Sequence, residues 1–513
     1  MNHIQGQDRC QMMMISLDGM IHSESFVRII DAFVDTLDLE NLGFSYFKLN
    51  SSGRPPFHPS VLLKLYLYGY QNNIRSCRKL EHASKINLEV MWLLENRKPH
   101  YKTIAKFRKE NSLSFRKVFQ HFVGMLKDWD LVDGAHIAID SFKIRAQNSL
   151  KNNFNHKKID RHLDYIDDKI NEYFEQLELE DTPEGCKEIN QKIEYNIGKA
   201  DKYLELSRRL DDEQVDQIST TDPDARSVVL HRNIVNVGYN VQAVSDGKHK
   251  LLVAMDTGDV NDTHALAPMI EQTQKNLQVT KMSVLADKGY HTGAQLTQCE
   301  RLGVTTFVSP KASAVNKRFN VYAMSLFKFH SGTDTYRCPN NEILRTNGKT
   351  YQRKGANKKG TWVGFKHYKT KACKTCPLKE KCTQSPQGRI IQRSEHQGAI
   401  ERNNTRVNNN PEYYRNRQQI IEHQFGTLKR QKGFTHALMK TKEKVLGEVS
   451  ILFTTYNLRR SLSIFGFTAL LEQLRRQKSK FGRILISRAI VIIHVSNFIF
   501  YNPRLHRVPC AIL

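Results

Sequence analysis

Long apolar runs are missing from this sequence. The longest candidate, residues 485–501, is interrupted by Arg488 and His494, whereas a membrane-spanning helix needs roughly 18 or more apolar residues in succession. Near the N-terminus, the apolar stretch Met12–Ile15 is short and is soon followed by Asp18, which is unlike a secretory signal. We therefore predict a cytoplasmic protein without a membrane-spanning segment.

Acidic residues and cysteines are also scarce. The chain has 52 Asp and Glu against 78 Lys and Arg, which gives a formal net charge of +26. An excess of this size predicts a polyanionic partner such as a nucleic acid. Nine cysteines in 513 residues are too few and too scattered for the dense disulfide framework of a small secreted domain. We therefore expect reduced thiols.

The length predicts two or three domains, because 513 residues exceed what one ordinary core accommodates. Residues 15–130 have apolar side chains at helical spacing and predict a helical domain. Basic side chains surround the apolar stripes between Ser60 and Arg108, which is typical of helices that bind phosphates. A solvated basic face is the alternative.

The remaining chain changes pattern several times. Short apolar runs that end in polar residues predict an α/β core over residues 131–310, with a helical-hairpin insertion at 157–211. Residues 311–405 predict a β-rich insert that contains cysteines, and residues 406–470 return to helix as the last part of the core. Residues 471–513 form a basic tail of open role. From about residue 481 it either derives from an altered reading frame or is an extension that touches DNA.

Four cysteines of the insert have the spacing of a metal site. Cys373 and Cys376 form a C-x2-C pair, Cys382 follows six residues later, and Cys338 precedes them. Four thiolates suit a tetrahedral structural zinc ion; other ligand sets, or four reduced cysteines, are the alternatives. Trp362 of the same insert either stacks on an unpaired base or belongs to the core.

Candidate catalytic carboxylates follow two apolar runs. Asp140 follows His136–Ile139, and Asp287 follows Val284–Ala286. Cleavage of a phosphodiester by metal ions needs carboxylates that converge from different segments, and ligands of α/β folds lie at the carboxyl edge of the sheet. Asp256 ends a similar run, so this pattern alone does not select among the three.

A third candidate lies in a basic segment. Glu422 is the single acid between Arg415 and Lys432. Lys429 follows it by seven residues, and on a helix the two side chains share a face. An ordinary ion pair within the helix is the alternative.

Three segments in this order resemble the catalytic segments of DDE transposases of bacterial insertion sequences: Ala138–Ala146, Ala286–His291 and Ile421–Lys429. Supporting similarity comes from further strings: Gly69-Tyr70, Ser76–Glu81, Thr221–Arg226 and Gly238–Gln242. The resemblance extends over about residues 15 to 470.

The resemblance implies a ribonuclease H-like core in which Asp140, Asp287 and Glu422 bind Mg²⁺, with Mn²⁺ able to substitute. It favours Asp287 over Asp256. It also implies a helical N-terminal DNA-binding domain and a β-rich insert ahead of the last acid. The expected activity is binding of the terminal repeats of the element, followed by strand cleavage and transfer into target DNA. The resemblance also implies a homodimer that assembles on DNA. The expected location is the cytoplasm, in association with the nucleoid.

One departure from the family pattern concerns Arg417. The last motif of the family often has Tyr, two residues, Arg, three residues, Glu, six residues and Lys, and here four residues separate Arg417 from Glu422. Arg417 and Lys429 are the predicted phosphate-binding residues, and the extra residue leaves the role of Arg417 open. Two other functions remain: a ribonuclease H-fold nuclease without strand transfer, and a catalytically decayed DNA-binding derivative.

Overall fold

The computed structural model describes residue 10 and five longer ranges: 14–45, 55–231, 234–311, 322–354 and 362–479. The tail from residue 481 lies outside them. The described residues divide into two compact units: those within 1–131, 427–434 and 443–513 form the first, and those within 132–426 and 435–442 form the second. No helix within the described ranges is long and apolar enough to cross a membrane.

The first unit is helical. The described residues of its N-terminal part form six helices: α1 (Phe26–Val34), α2 (Pro59–Gln71), α3 (Cys77–Ile86), α4 (Leu88–Leu93), α5 (Tyr101–Glu110) and α6 (Ser112–Asp128). Proline is favoured in a first turn, and α2 begins at Pro59. The helices pack around buried rings, among them Tyr66, Phe107, Phe115 and Phe122.

The helix Lys442–Phe465 packs, except for its first residue, inside this first unit. Its Glu448 is fully buried, and Glu448 Oε1 accepts hydrogen bonds from Tyr70 Oη at 2.8 Å and from Arg75 Nη2 at 2.7 Å. Pairing makes a buried carboxylate tolerable, since an unpaired one would be very costly. The packing therefore differs from the division made on sequence, which assigned residues 406–470 to the catalytic core.

The second unit has a mixed α/β core. Its central sheet has six strands among the described residues: β1 (His136–Arg145), β4 (Arg226–His231), β5 (Ile234–Asp246), β6 (Leu252–Gly258), β7 (Met282–Ala286) and β8 (Val304–Val308). Strand β5 is antiparallel to β1, β4 and β6, whereas β1, β7 and β8 are mutually parallel in that order. A separate short pair consists of β2 (Asn153–Phe154) and β3 (Ile218–Ser219).

Helices surround and interrupt this sheet. Two long ones form the hairpin between β2 and β3: α7 (His156–Glu178) and α8 (Pro183–Asp212). The other α-helices in the described part of this unit are α9 (Leu266–Leu277), α10 (Gly293–Arg301), α11 (Lys379–Cys382), α12 (Gln397–Asn409), α13 (Pro411–Arg417) and the short helix His423–Gly426. Thr182 caps α8 by accepting from Gly185 N at 3.2 Å, and Pro183 occupies its first turn, as is common for helix starts.

The insert forms its own antiparallel sheet. Its strands, in chain order, are β9 (Lys328–His330), β10 (Thr335–Arg337), β11 (Ile343–Lys354), β12 (Trp362–Lys369) and β13 (Ile391–Ser394). A small core forms around Tyr336 and Tyr368. Trp362 begins β12 and is 63% exposed, so the interpretation of this residue as a core side chain is wrong.

Candidate active site

Asp140 lies on β1, and Asp287 directly follows β7, the neighbouring strand of the central sheet. Strands β1 and β7 run parallel with Ile139 opposite Ala286, and the two aspartates are the next residues of their segments. The apolar run His136–Ile139 alone predicts a strand that ends before Asp140, and this is wrong, because β1 continues to Arg145 through its pairing with β5. The parallel register places both carboxyl-bearing residues at the same level of the sheet.

The surroundings of the two aspartates differ. Asp287 caps a short 3₁₀ turn, Lys288–Tyr290, and its Oδ1 accepts from Gly289 N at 2.7 Å. Asp140 is 20% exposed, and burial raises its pKa to about 6. The negative charge of Asp287 acts in the same direction on this pKa, whereas the N–H of Ser141 and the guanidinium of Arg417 oppose it.

Arg417 joins Asp140 to Glu422. Its Nη1 lies 2.9 Å from Asp140 Oδ2, and its Nη2 lies 3.0 Å from Glu422 Oε1. The arginine side chain is 13% exposed and Glu422 is 48% exposed. Burial lowers the pKa of Arg417, but the charges of Asp140, Glu422 and Asp287 outweigh it, so the net pKa is raised. Arg417 thus contacts two of the three predicted catalytic carboxylates, and the charge of the third acts on its pKa.

The extra residue between Arg417 and Glu422 is accommodated by a wide turn. Residues Gln418–Glu422 form a π-helical turn between α13 and the short helix His423–Gly426. In an α-helix of 3.6 residues per turn, side chains five apart point in different directions. The π turn closes after about one more residue, which explains how Arg417 and Glu422 face each other despite the added position.

Lys429 lies in a second π-helical turn, Thr427–Gln431, and is half-buried. This turn belongs to the first compact unit, whereas Glu422 belongs to the second. A phosphate-binding role for Lys429 therefore stays a prediction.

Asp256 is separated from this cluster by β5. It pairs with Gln242 on one edge of that strand, while Ser141 of β1 pairs with Gln242 on the other. Its carboxylate lies 3.4 Å from Lys442 Nζ and accepts from Thr257 N at 2.8 Å. Asp256 is thus engaged elsewhere, although its sequence context resembles that of Asp287.

A fourth carboxylate, not indicated by the sequence, lies beside Asp287. A Cβ atom added to Gly289 would be 2.9 Å from Asp287 Oδ1 and 3.2 Å from Asp262 Oδ2. Asp262 is in the loop after β6. Nothing in its local sequence distinguishes it from the nearby Asp259, so sequence reasoning had no signal for it.

The four cysteines of the insert come together. Cys338, Cys373, Cys376 and Cys382 line one cavity, and all are free thiols. Across the described part of the chain, however, no three His, Cys, Asp or Glu side chains are close enough in their present positions to hold a metal ion. This applies both to the thiols and to the carboxylates around Arg417.

Two family models match this chain. Residues 15–110 match a transposase domain (DUF772), and residues 232–458 match the transposase DDE domain. The chain belongs to the DDE transposases. These matches confirm the resemblance inferred from the three motifs. The second match contains Asp287 and Glu422, and Asp140 lies ahead of its first residue.

Other comparisons add little. No curated protein matches this transposase. Among solved structures, a cryo-EM structure of the piggyBac transposase synaptic complex with hairpin DNA is 10% identical. The match covers 96% of this chain and 87% of that chain with a TM-score of 0.32. A likeness this weak establishes neither the fold nor the chemistry of the transposase.

Proposed function

We propose that this transposase binds the terminal repeats of its insertion sequence and catalyses metal-dependent strand cleavage and strand transfer. Asp140, Asp287 and Glu422 are the proposed metal ligands. The observation that carries the proposal is the contact of Arg417 with Asp140, which lies 277 residues away in sequence, and with Glu422. Carboxylates from two distant segments contact one cation there, and convergence of this kind is a precondition for joint coordination of a metal.

The sheet order supports a ribonuclease H-like core. Strands β6, β5 and β1 are antiparallel neighbours, and β7 and β8 continue the sheet in parallel with β1. Asp140 belongs to the central strand of this arrangement, and Asp287 follows the strand beside it. The insert separates both of them from Glu422 in sequence.

The chain's own residues suit Mg²⁺, which Mn²⁺ can replace, because carboxylate oxygens are the preferred ligands of both ions. When bound, divalent metal stabilises the attacking and leaving oxygens of an in-line displacement at phosphorus. We propose that Arg417 gives up its contacts with Asp140 and Glu422 when metal and DNA bind. Its guanidinium then becomes available for charge-assisted hydrogen bonds to a DNA phosphate, and Lys429 is proposed to contribute a second positive charge.

A strand-transfer assay tests this function against its two alternatives. Purified protein, labelled element-end DNA, a supercoiled target plasmid and Mg²⁺ should give labelled products joined to the plasmid. Cutting without joined products would instead indicate a nuclease of the same fold. Binding with neither activity would indicate a decayed derivative. Two chains per DNA complex, measured by light scattering, would support the proposed homodimer.

The N-terminal unit offers a basic cleft for DNA. Lys98, Lys102 and Lys106 are exposed and line this cleft together with His100 and Phe57. Lysine clusters of this kind bind phosphates without sequence preference. In the insert, exposed Trp362 supports a role in stacking on an unpaired base.

Binding of end DNA should depend steeply on salt. Each neutralised phosphate contributes about −0.9 to the slope of log affinity against log salt concentration, so changing Lys98, Lys102 and Lys106 to Ala should flatten the slope by up to about 3 units. A matched triple change on α8 of the helical hairpin, at Lys187, Lys192 and Lys202, should leave the slope nearly unchanged. Fluorescence anisotropy over a salt series measures both. Equal slopes for the two triple variants would contradict the assignment of this cleft.

We also propose that Cys338, Cys373, Cys376 and Cys382 hold a structural zinc ion. Their convergence from three segments on one cavity supports the proposal, as does the affinity of zinc for sets of four thiolates. Since the thiols do not enclose a metal as they stand, binding has to draw them closer together.

Protein prepared without chelator should contain about one zinc per chain by mass spectrometry of the metal. Changing Cys376 to Ser should remove the zinc and lower the Tm, because metal binding contributes directly to folding. Cys186 lies outside the cluster on α8, and its change to Ser should leave the zinc content intact. Zinc-free wild-type protein with the same Tm as Cys376→Ser would contradict the proposal.

A further inference from the structure

Asp262 anchors a buried row of amide side chains. Its Oδ1 accepts from Asn240 Nδ2 at 2.8 Å and from Gln242 Nε2 at 2.7 Å. Both donors belong to β5 and are almost completely buried. Gln242 also lies opposite Ser141, the residue that follows Asp140. The carboxylate of Asp262 is therefore bonded to a polar side chain, Gln242, that directly adjoins the site.

The same row continues to Asp287. Gln242 Oε1 accepts a hydrogen bond from the hydroxyl of Tyr290, which is fully buried. Tyr290 ends the 3₁₀ turn that Asp287 caps, and its N–H donates to Asp287 O at 3.2 Å. Hydrogen bonds thus link Asp262 through Gln242 to the hydroxyl of Tyr290, and the backbone of Tyr290 is bonded in turn to the backbone of Asp287.

The direction of these bonds depends on Asp262. An ionised carboxylate only accepts hydrogen bonds, whereas a glutamine amide has one donating and one accepting end. Asp262 therefore orients Nε2 of Gln242 toward itself and leaves Oε1 to accept from Tyr290. Without this acceptor, a buried amide N–H of Gln242 would lose its partner, which favours rotation of the amide and loss of the bond to Tyr290.

We propose that Asp262 is a positioning residue that holds the Asp287 carboxylate in place through Gln242 and Tyr290. The proposal rests on the metal-binding role proposed for Asp287. It also gives a function to two motifs that the catalytic triad leaves unused. Gly238–Gln242 supplies the amide donors, and Lys288–Tyr290 supplies the turn and its hydroxyl. Asp262 acts through these neighbours and is not itself assigned to the metal.

Cleavage of end DNA by single variants, measured over a Mg²⁺ titration, tests this role. Asp262→Ala should lower the rate about 10- to 100-fold and raise the Mg²⁺ concentration for half-maximal rate, as loss of a residue that orients a metal ligand does. Tyr290→Phe should behave alike, and the double variant should be little worse than either single one. Asp262→Asn keeps an acceptor oxygen and should restore most of the rate. Asp259→Ala, an exposed acid of the same loop, should behave as wild type.

Three results would overturn the inference. Additive losses in the double variant would mean that Asp262 and Tyr290 act separately. An Asp262→Asn enzyme as slow as Asp262→Ala would mean that the negative charge itself is required. Unchanged cleavage and Mg²⁺ dependence in Asp262→Ala would remove the role entirely. If Asp287→Ala is inactive in that last case, the proposed function stands and only the positioning role fails; an active Asp287→Ala enzyme would remove both.

Discussion

Changing Asp140, Asp287 or Glu422 to Ala is expected to reduce cleavage of element-end DNA about 10³-fold or more, because losing a metal ligand removes several kcal/mol of transition-state stabilisation. DNA affinity should change little, since the lysines of the N-terminal cleft are untouched. The three carboxylates act as one unit, so double and triple variants should be scarcely worse than single ones. Nicking of labelled end DNA and gel-shift binding, measured on the same preparations, provide both values.

Asp256→Ala is the matched control for these variants. Asp256 ends an apolar run as Asp287 does, but its carboxylate contacts Lys442 rather than Arg417. The contact is partly exposed, so its loss should cost little stability, and cleavage should stay measurable. Substantial cleavage by folded Glu422→Ala would overturn the assignment of the triad. So would an inactive Asp256→Ala enzyme beside an active Asp287→Ala enzyme.

The sequence was most informative where chemistry restricts residue types. Few side chains can hold hard divalent cations, so the acids Asp140, Asp287 and Glu422 stood out together with their neighbouring residues. The strands beside the first two were also recognisable, because buried strands are short apolar runs. The order of the three motifs indicated the protein family, and the two family matches confirm it.

What the sequence could not indicate depends on contacts between distant segments. The helix Lys442–Phe465 is buried on nearly all sides. Such a helix has no one-sided apolar face in its sequence, so the sequence does not indicate which elements it packs against. In the sequence, Asp262 resembles any other acidic residue of a loop. Only the structure shows that Asn240 and Gln242 of β5 donate hydrogen bonds to it. The bridge formed by Arg417 was obscured by the extra residue before Glu422, because motif spacing presumes a regular helix.

The π turn Gln418–Glu422 accommodates one residue more than a regular helix, so we expect the enzyme to tolerate deletion of Gln418. Gln418 is exposed, so its deletion removes few contacts. An α-helix closed over the gap would place Arg417 four residues before the glutamate, which is again on the same face. Cleavage by this deletion variant should remain within about tenfold of wild type, whereas the π turn should no longer form.

Inserting one alanine after Gln418 is expected to have the opposite effect. The wide turn already absorbs one extra residue, and a second would rotate Glu422 by about 100° relative to Arg417 and Asp140. Cleavage should then fall as far as in Glu422→Ala, about 10³-fold, while circular dichroism and DNA binding stay close to wild type. Equal losses in the deletion and insertion variants would mean that this turn does not set the register of the catalytic glutamate. An active insertion variant would place Glu422 outside the site.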